Sequence, residues 1–115
     1  MEKVIICDFD GTIVEFAYPE MGEPKPRVKE NLQRLKDMGY EIHIASCRTS
    51  HEVNKYPIDR QVQVRMMEEY LDKHEIPYDR VLNNDKALGV WYIDDRAIAF
   101  RGDWDKVVAE IENNE

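Results

Sequence analysis

Residues 4–12, Val-Ile-Ile-Cys-Asp-Phe-Asp-Gly-Thr, decide the fold. The run Val4–Cys7 is too short and too rich in β-branched residues for a helix, and a glycine follows soon after it, so it predicts a parallel strand buried on both faces. Asp8 and Asp10 are two residues apart, and both carboxylates face one pocket if the backbone stays extended as far as Asp10. The sequence therefore predicts paired carboxylates at the end of a buried strand.

Two carboxylates this close repel each other unless a cation lies between them. Mg²⁺ prefers oxygen ligands and is bound in proteins by one or two carboxylates together with phosphate oxygens and water. An Asp carboxylate can also attack phosphorus, while a second carboxyl group protonates the leaving oxygen. Chemistry on a phosphate ester is one interpretation of Asp8 and Asp10, and a strand that ends in a solvated acidic turn is the other.

A second acidic pair follows a second apolar run. Val90–Ile93 predicts another strand, and Asp94 and Asp95 come directly after it. Ligands of open parallel sheets bind beyond the carboxyl ends of the strands, so acid pairs from two such strands can converge there. A simple turn, with a local ion pair to Arg96, is the alternative.

Between the two acid pairs, Ile42–Ala45 predicts a strand, and small or polar residues follow it. The Ser46 hydroxyl and the backbone N–H groups of Cys47 and Arg48 could form an anion-binding concavity at this strand end. Lys86, eight residues before the second acid pair, is a candidate point charge against phosphate oxygens, although a single lysine is also typical of solvated surface.

Taken in order, these four pieces resemble the haloacid dehalogenase-like (HAD) hydrolase superfamily. Asp8–Thr12 is similar to the first motif of that family, Ser46 to the second, Lys86 to the third, and Asp94–Asp95 to the fourth. The resemblance implies a Mg²⁺-dependent phosphatase of the small branch without a cap domain, because the gap at residues 13–26 holds only a short loop.

The resemblance also implies a role for each motif residue. Asp8 would be the nucleophile, and Asp10 would be the general acid and later the base. Lys86 would offset negative charge, although Lys73 also lies between the second and fourth motifs and spacing alone does not exclude it. The remaining roles are phosphate binding or turn formation by Ser46, Cys47, Arg48, Gly11 and Thr12, and Mg²⁺ binding by Asp8, Asp10, Asp94 and Asp95.

Arg48 and Arg96 each follow a motif residue at a predicted strand end. Each side chain could therefore reach a phosphate or another anionic group of the substrate. A salt bridge to the carboxylate cluster is the equal alternative for both.

The rest of the chain predicts an ordinary α/β scaffold. Strands alternate with helices, which predicts a mainly parallel sheet covered on both faces, a Rossmann-like three-layer α/β/α domain that occupies residues 1–115 as a single unit. The further elements expected are helices from Pro26 to Gly39, from Pro57 to about Glu75, and from Asp103 onward, and short strands at Arg80–Leu82 and Ala97–Phe100.

Composition limits the partners. The chain carries 16 basic and 24 acidic residues, a formal net charge of −8, which disfavours a long nucleic acid as a ligand. No apolar run approaches the ~20 residues of a membrane span, and Met1 leads almost directly into the first strand, so we expect a cytoplasmic protein with no membrane partner. Cys7 and Cys47 are then expected to be reduced packing residues.

The substrate expected on these grounds is a small phosphorylated metabolite, such as a sugar phosphate or a nucleotide. A site without a cap is open, and a neighbouring subunit could cover it in a homo-oligomer. The alternatives are a polynucleotide-end phosphatase, a receiver-like domain that keeps its aspartyl-phosphate, and a phosphate- or Mg²⁺-binding module without catalysis.

Overall fold

A parallel sheet of three strands forms the centre of the fold. The structure, a computed structural model, describes residues 2–115. The strands are β1 (Val4–Cys7), β2 (Glu41–Ile44) and β3 (Arg80–Val81), in the spatial order β1-β2-β3. Val4 pairs with Glu41 and Cys7 with Ile44, so β1 and β2 end at the same edge. The predicted parallel sheet is confirmed for these strands.

Three helices surround the sheet: α1 (Val28–Asp37), α2 (Pro57–Lys73) and α3 (Trp104–Asn113). Their ends follow the expected signals. Gly39, at φ +94°, lies just past the end of α1, Pro57 is the first residue of α2, and the Asp103 side chain accepts a hydrogen bond from the Lys106 N–H at the start of α3. Within residues 2–115, none of these helices is long and apolar enough to cross a membrane.

The core explains why the first acidic motif is interrupted by an aromatic residue. Phe9 is completely buried and packs edge-on against Tyr70 of α2, with ring centroids 5.9 Å apart. Asp8 and Asp10, on either side of it, remain partly exposed. The alternation of an extended chain thus places Phe9 in the core and both carboxylates on the side of the crevice, as the sequence predicts. The other fully buried core side chains include Ile13, Leu32, Leu35, Ile42, Ile44, Met67, Leu71 and Val108.

The prediction of a strand at Val90–Ile93 is wrong. These residues form no strand and are among the most exposed apolar side chains, with Val90 at 89 %, Trp91 at 84 % and Ile93 at 100 % of their accessible surface. A local contact replaces the extended backbone, because the Tyr92 hydroxyl donates to the Ala87 carbonyl at 2.6 Å. The strand expected at Ala97–Phe100 is also absent from the described structure.

A consequence of this correction is that β1 is an edge strand. Within residues 2–115 it pairs only with β2, and Ile6 is 59 % exposed. An unpaired strand edge presents free N–H and C=O groups to the solvent. The β1 edge and the Val90–Ile93 segment are therefore two apolar surfaces of this chain that lack a strand partner in this arrangement.

The segment between β1 and α1 folds back on itself as a narrow hairpin-like loop, residues 11–26. The Glu15 N–H donates to the Glu23 carbonyl at 2.7 Å, and the Lys25 N–H donates to the Ile13 carbonyl at 2.8 Å. The loop contains a cis peptide bond between Tyr18 and Pro19. Because its two arms are hydrogen-bonded to each other, the loop is an ordered wall next to Asp10.

Gly22 is required by the closeness of the two arms of this loop. A Cβ atom at this position would lie 1.9 Å from the Glu15 carbonyl oxygen. The same glycine is fixed from the other side, since the Tyr70 hydroxyl donates to its carbonyl at 2.6 Å. A side chain here would have to separate the arms or break the contact with α2.

We expect Gly22→Ala to lower the free energy of unfolding by about 1–3 kcal/mol, because overpacking forces the backbone of the loop to shift. Urea denaturation followed by circular dichroism measures this. Gly89→Ala is the control, since its Cβ would meet only backbone atoms of Trp91, the nearest at 3.3 Å, in an exposed segment. Equal stability of the two variants would show that the arms are not held this closely.

Candidate active site

Asp8 lies at the end of β1 with both carboxylate oxygens engaged. The Lys86 ammonium group lies 3.0 Å from Oδ1, and the Thr12 hydroxyl donates to Oδ2 at 3.1 Å. The side chain of Asp8 nevertheless remains 38 % exposed. It is a carboxylate held in one orientation by a cation and a hydroxyl, with one side open to a ligand.

Lys86 reaches Asp8 from the loop after β3, while Lys73 is an exposed residue at the end of α2. Partial burial acts to lower the pKa of Lys86, but the charge of Asp8 and the hydrogen bond to it outweigh that effect and raise the pKa above its usual value. Lys86 is therefore a permanent cation at neutral pH. Of the two lysines that the sequence leaves open, the structure brings Lys86 to the first motif.

Asp10 forms the most deeply buried ion pair of the site, with Arg48. The Arg48 Nε donates to Oδ2 at 2.7 Å and its Nη2 donates to Oδ1 at 2.9 Å, a bidentate arrangement. The side chain of Arg48 is 1 % exposed and that of Asp10 is 13 % exposed. Both oxygens of Asp10 are therefore occupied by one guanidinium group.

The remaining N–H groups of Arg48 donate to two other parts of the chain. They donate to the carbonyls of Pro19 and Glu20 in the 11–26 loop and to the side chain of Gln63 on α2, at 3.2, 2.8 and 3.0 Å. The guanidinium group also lies 4.8 Å from the centre of the Tyr18 ring. Of the two alternatives for Arg48, the structure therefore shows the salt bridge, and the five hydrogen bonds leave no N–H group for a phosphate.

Ser46 and Cys47 begin a short 3-10 turn, Cys47–Thr49, directly after β2. The Ser46 hydroxyl oxygen accepts a hydrogen bond from the Arg48 backbone N–H at 3.0 Å, and the residue is 1 % exposed. Ser46 thus fixes the turn that carries Arg48, while Cys47 is partly exposed. Binding of a phosphate by Ser46 and Cys47 stays a prediction, as does a direct contact from Gly11, which forms the tight turn after Asp10 at φ +83°.

Cys7 is a packing residue next to the site. Burial, with a smaller contribution from the charge of Asp8, raises the pKa of its thiol to about 12. A thiol with this pKa stays protonated at neutral pH and is a poor nucleophile. Cys7 is therefore not a candidate nucleophile at this strand end.

The second acidic pair is engaged in local contacts. Asp94 accepts a hydrogen bond from the backbone N–H of Arg96 at 2.9 Å, and this bond, together with one to the side chain of Asp95, lowers the pKa of Asp94. Within residues 2–115, Asp94 and Asp95 do not form a metal-binding group with Asp8 and Asp10, and their convergence on the first pair stays a prediction. The physical reason that no such group forms is the missing strand at Val90–Ile93, which would have carried the pair to the sheet edge.

The positions of the acidic side chains determine whether they can bind a metal ion together. The oxygen donors of the expected set suit Mg²⁺ chemically. However, residues 2–115 contain no group of three or more His, Cys, Asp or Glu side chains placed to share a metal ion. Asp94 and Asp95 therefore do not join Asp8 and Asp10 in such a group in this arrangement, and Mg²⁺ binding by the full set stays a prediction.

No sequence pattern predicts the polar cavity that lies between the loops after β2 and β3. Its walls include Arg60 of α2 and Asp85, which accepts a hydrogen bond from His51 Nδ1 at 2.6 Å. The irregular polar stretch from Thr49 to Pro57 marks one side of it, but nothing in the sequence pairs that stretch with residues 83–85. The cavity arises only when the turn after β2 meets the loop after β3.

The fold and the site define an α/β protein with a carboxylate–lysine pair at the end of a strand. Comparison with known proteins shows the family to which it belongs. A family model described as haloacid dehalogenase-like hydrolase matches residues 5–83, more than half of the chain. The chain belongs to this family. The matched range includes Asp8–Thr12 and Ser46 and ends before Lys86 and Asp94.

Two solved structures are similar over nearly their whole length. A crystal structure of a protein from Vibrio cholerae shares 26 % identity and a TM-score of 0.69, covering 95 % of this chain and 98 % of its own. A structure of a conserved protein from Bacteroides thetaiotaomicron, at 23 % identity and a TM-score of 0.64, covers 100 % of this chain and 93 % of its own and shows likeness in fold. These matches confirm the Rossmann-like α/β/α class. No curated protein sequence matched the chain.

We expect Arg48→Met to lower the free energy of unfolding by about 3–5 kcal/mol, because it leaves the Asp10 carboxylate without its partner in a mostly buried place. Chemical denaturation measures the change. Arg27→Met is the matched control, since Arg27 pairs with Asp105 at 2.8 Å but both side chains are about half exposed, and such pairs contribute at most about 1 kcal/mol. Similar losses in both variants would contradict the anchoring role of Arg48.

Proposed function

We propose that this protein hydrolyses phosphomonoesters and that Asp8 is the nucleophile. The observation that carries the proposal is the Asp8 carboxylate, fixed between Lys86 and Thr12 at the end of a parallel strand and still open on one side. Membership of the HAD-like hydrolase family supports a hydrolase. The carboxyl ends of parallel strands are also where ligands of α/β sheets bind.

The chemistry proceeds in two displacements at phosphorus. An Asp8 oxygen attacks phosphorus while the bond to the leaving-group oxygen breaks, which gives an aspartyl-phosphate and an alcohol that has taken up one proton. Water then attacks phosphorus, the bond to Asp8 breaks, and inorganic phosphate is released. Each displacement needs positive charge around the phosphoryl oxygens and alignment of the attacking group.

Lys86 supplies that charge in the proposed reaction. Its ammonium group already lies against Asp8, so it would also lie beside a phosphoryl group attached there. Its raised pKa keeps it protonated throughout the neutral range. A cation placed in advance needs no rearrangement when negative charge develops.

Asp10 fits the role of base better than that of acid. Both of its oxygens accept hydrogen bonds from Arg48, so the carboxylate is an acceptor in this arrangement. It could accept a proton from the attacking water in the second displacement. Protonation of the leaving oxygen would require either a change in the contact with Arg48 or a proton from solvent.

Mg²⁺ is part of the proposal on the strength of the family, whose members typically use it. Asp8 would be one ligand, the backbone carbonyl of Asp10 another, and Asp94 or Asp95 a third. Because the second acid pair lies apart from Asp8 in this arrangement, ion binding requires residues 90–95 to change position. Within residues 2–115, β1 has no strand partner on the side away from β2.

The proposed substrate is a small phosphorylated metabolite, handled in the cytoplasm by a domain without a cap. The net charge of −8 disfavours the phosphate backbone of a long nucleic acid. The segment after the first motif, where a cap could be inserted, is only the hairpin-like loop of residues 11–26. A substrate end can therefore approach Asp8 from solvent.

We expect Lys86→Ala to reduce kcat for phosphate release by about 10²–10³-fold, because it removes a cation aimed at the transition state. Lys73→Ala, which removes the same charge from the exposed end of α2, should leave kcat unchanged. Steady-state phosphate release by both variants measures this. Equal losses, or a larger loss in Lys73→Ala, would overturn the role of Lys86.

We expect release of phosphate from an aryl phosphate to require both Mg²⁺ and Asp8. Chelation of the metal should abolish turnover and added Mg²⁺ should restore it, whereas Asp8→Asn should be inactive under both conditions because an amide is not a nucleophile. Circular dichroism should show that Asp8→Asn is folded. Full turnover by Asp8→Asn would refute the proposal, and turnover without any divalent cation would remove Mg²⁺ from it.

A further inference from the structure

A polar cavity lies between the loops that follow β2 and β3, at the same edge of the sheet as Asp8 at the end of β1. It has a volume of about 310 Å³, at the lower end of the range for small-molecule sites. One wall is the turn after β2, where the Thr49 hydroxyl donates to the Asn84 carbonyl at 2.7 Å and so joins the opposite wall. Asp85 belongs to that wall and immediately precedes Lys86. A ligand whose phosphate contacts Lys86 could therefore extend along this edge of the sheet toward the cavity.

Arg60 is the cation of this cavity. Its Nη1 donates to the backbone carbonyls of Asn54 and Lys55, at 2.9 and 3.1 Å, which holds the partly buried guanidinium group in place. Within the described part of the chain it forms no salt bridge with any carboxylate. Nε and Nη2 are not used by these two bonds, and they can donate to an anion.

The position of Arg60 in its helix adds to the attraction for an anion. Arg60 is in the first turn of α2, which begins at Pro57, and both residues line the cavity. The N-terminal end of a 17-residue helix carries a partial positive charge. Arg60 and the helix end therefore favour negative charge on the same side of the cavity.

The carboxylate of Asp85 forms no salt bridge with Arg60, because its hydrogen bonds are made with the turn after β2. It accepts hydrogen bonds from the His51 backbone N–H at 3.0 Å, from His51 Nδ1 at 2.6 Å and from the Ser50 hydroxyl at 3.3 Å. These bonds, led by the one from the His51 backbone, lower the pKa of Asp85 despite the opposing effect of desolvation. Asp85 serves to fix the turn after β2 rather than to pair with Arg60.

The other walls suit hydroxyl groups. Gln61, Asn83 and Asn84 contribute amide side chains, which can both donate and accept. No Phe, Tyr or Trp side chain is among the described residues that line the cavity, and the one aromatic ring there, that of His51, is hydrogen-bonded through Nδ1 to Asp85. The lining therefore matches a hydroxylated chain better than a nucleotide.

We propose that this cavity binds the leaving group of the substrate and that the leaving group is a polyhydroxylated carboxylic acid, with its carboxylate on Arg60 and its hydroxyls on Gln61 and Asn83. This inference rests on the proposed function, since it assigns a substrate class to the same site. Arg60 is then a specificity-determining residue. A guanidinium group and a carboxylate form the bidentate contact that this assignment needs.

The test compares two substrates that differ at one end only. In 6-phosphogluconate the carbon chain ends in a carboxylate, whereas in sorbitol 6-phosphate it ends in a hydroxymethyl group. We expect the natural protein to prefer 6-phosphogluconate by at least about tenfold in kcat/KM, the usual size of one charged hydrogen bond. Arg60→Gln should reduce that preference to near unity.

Arg65→Gln is the matched control, because it removes the same charge from the same helix at an exposed position outside the cavity lining. It should keep the preference of the natural protein. No preference in the natural protein, or a preference that survives Arg60→Gln, would overturn the inference. So would an equal loss of preference in Arg65→Gln, since that would reflect only the overall charge.

Binding measured without turnover separates this inference from the proposed function. Isothermal titration calorimetry of Asp8→Asn with 6-phosphogluconate and with sorbitol 6-phosphate should show tighter binding of the carboxylate, and the double variant Asp8→Asn/Arg60→Gln should lose the difference. If the natural protein releases no phosphate from any ester but this binding difference is present, the proposed function fails and the cavity assignment stands. If an aryl phosphate is hydrolysed and no binding difference exists, the cavity assignment fails alone.

Discussion

The bidentate pair between Asp10 and Arg48 is the contact on which the arrangement of this site depends. One guanidinium group joins the end of β1, the turn after β2, the 11–26 loop and α2. A buried ion pair often adds little net stability, because desolvation of both groups offsets their attraction. The pair therefore acts mainly by holding these four segments in position. Every guanidinium N–H group of Arg48 donates to an acceptor in one of the other three segments.

The same strand end holds a second carboxylate with its own cation. Asp8 pairs with Lys86, and Asp10 pairs with Arg48, so two acids two residues apart avoid mutual repulsion even though the chain carries a net charge of −8. The two pairs differ in exposure, and this difference separates their roles. The buried pair anchors the fold around the site, whereas the partly exposed pair can meet a ligand.

Much of this could be predicted from local sequence patterns. Periodicity and capping act within a few residues and predict several features of the fold. These are the strand Val4–Cys7, the helix ends at Gly39, Pro57 and Asp103, and the burial of Phe9 between two acidic neighbours. The proximity of Lys86 to Asp8 follows from the resemblance in motif order. In each of these cases the feature is set by interactions between residues close in sequence, or the order of the motifs leaves few candidate partners.

The features that were missed depend on long-range partners. Val90–Ile93 has the composition of a buried strand, but a strand also needs a neighbouring backbone, and here the local contact of Tyr92 with Ala87 prevails. The partners of Arg48 lie up to 38 residues away in sequence. Its position after Ser46 and Cys47 therefore left two roles open, a contact with phosphate and a salt bridge. The Arg60 cavity exists only because two loops meet, and no periodic pattern encodes such a meeting.

The central claim is that Asp8 accepts the phosphoryl group, and the most direct test is to look for that bond. The protein would be mixed with an excess of a phosphomonoester that it turns over, quenched in acid within milliseconds, digested, and analysed by peptide mass spectrometry. The account predicts a phosphoryl adduct on Asp8 that forms during turnover and disappears once the substrate is consumed. Turnover with no adduct at any time, or with an adduct on another residue, would contradict it.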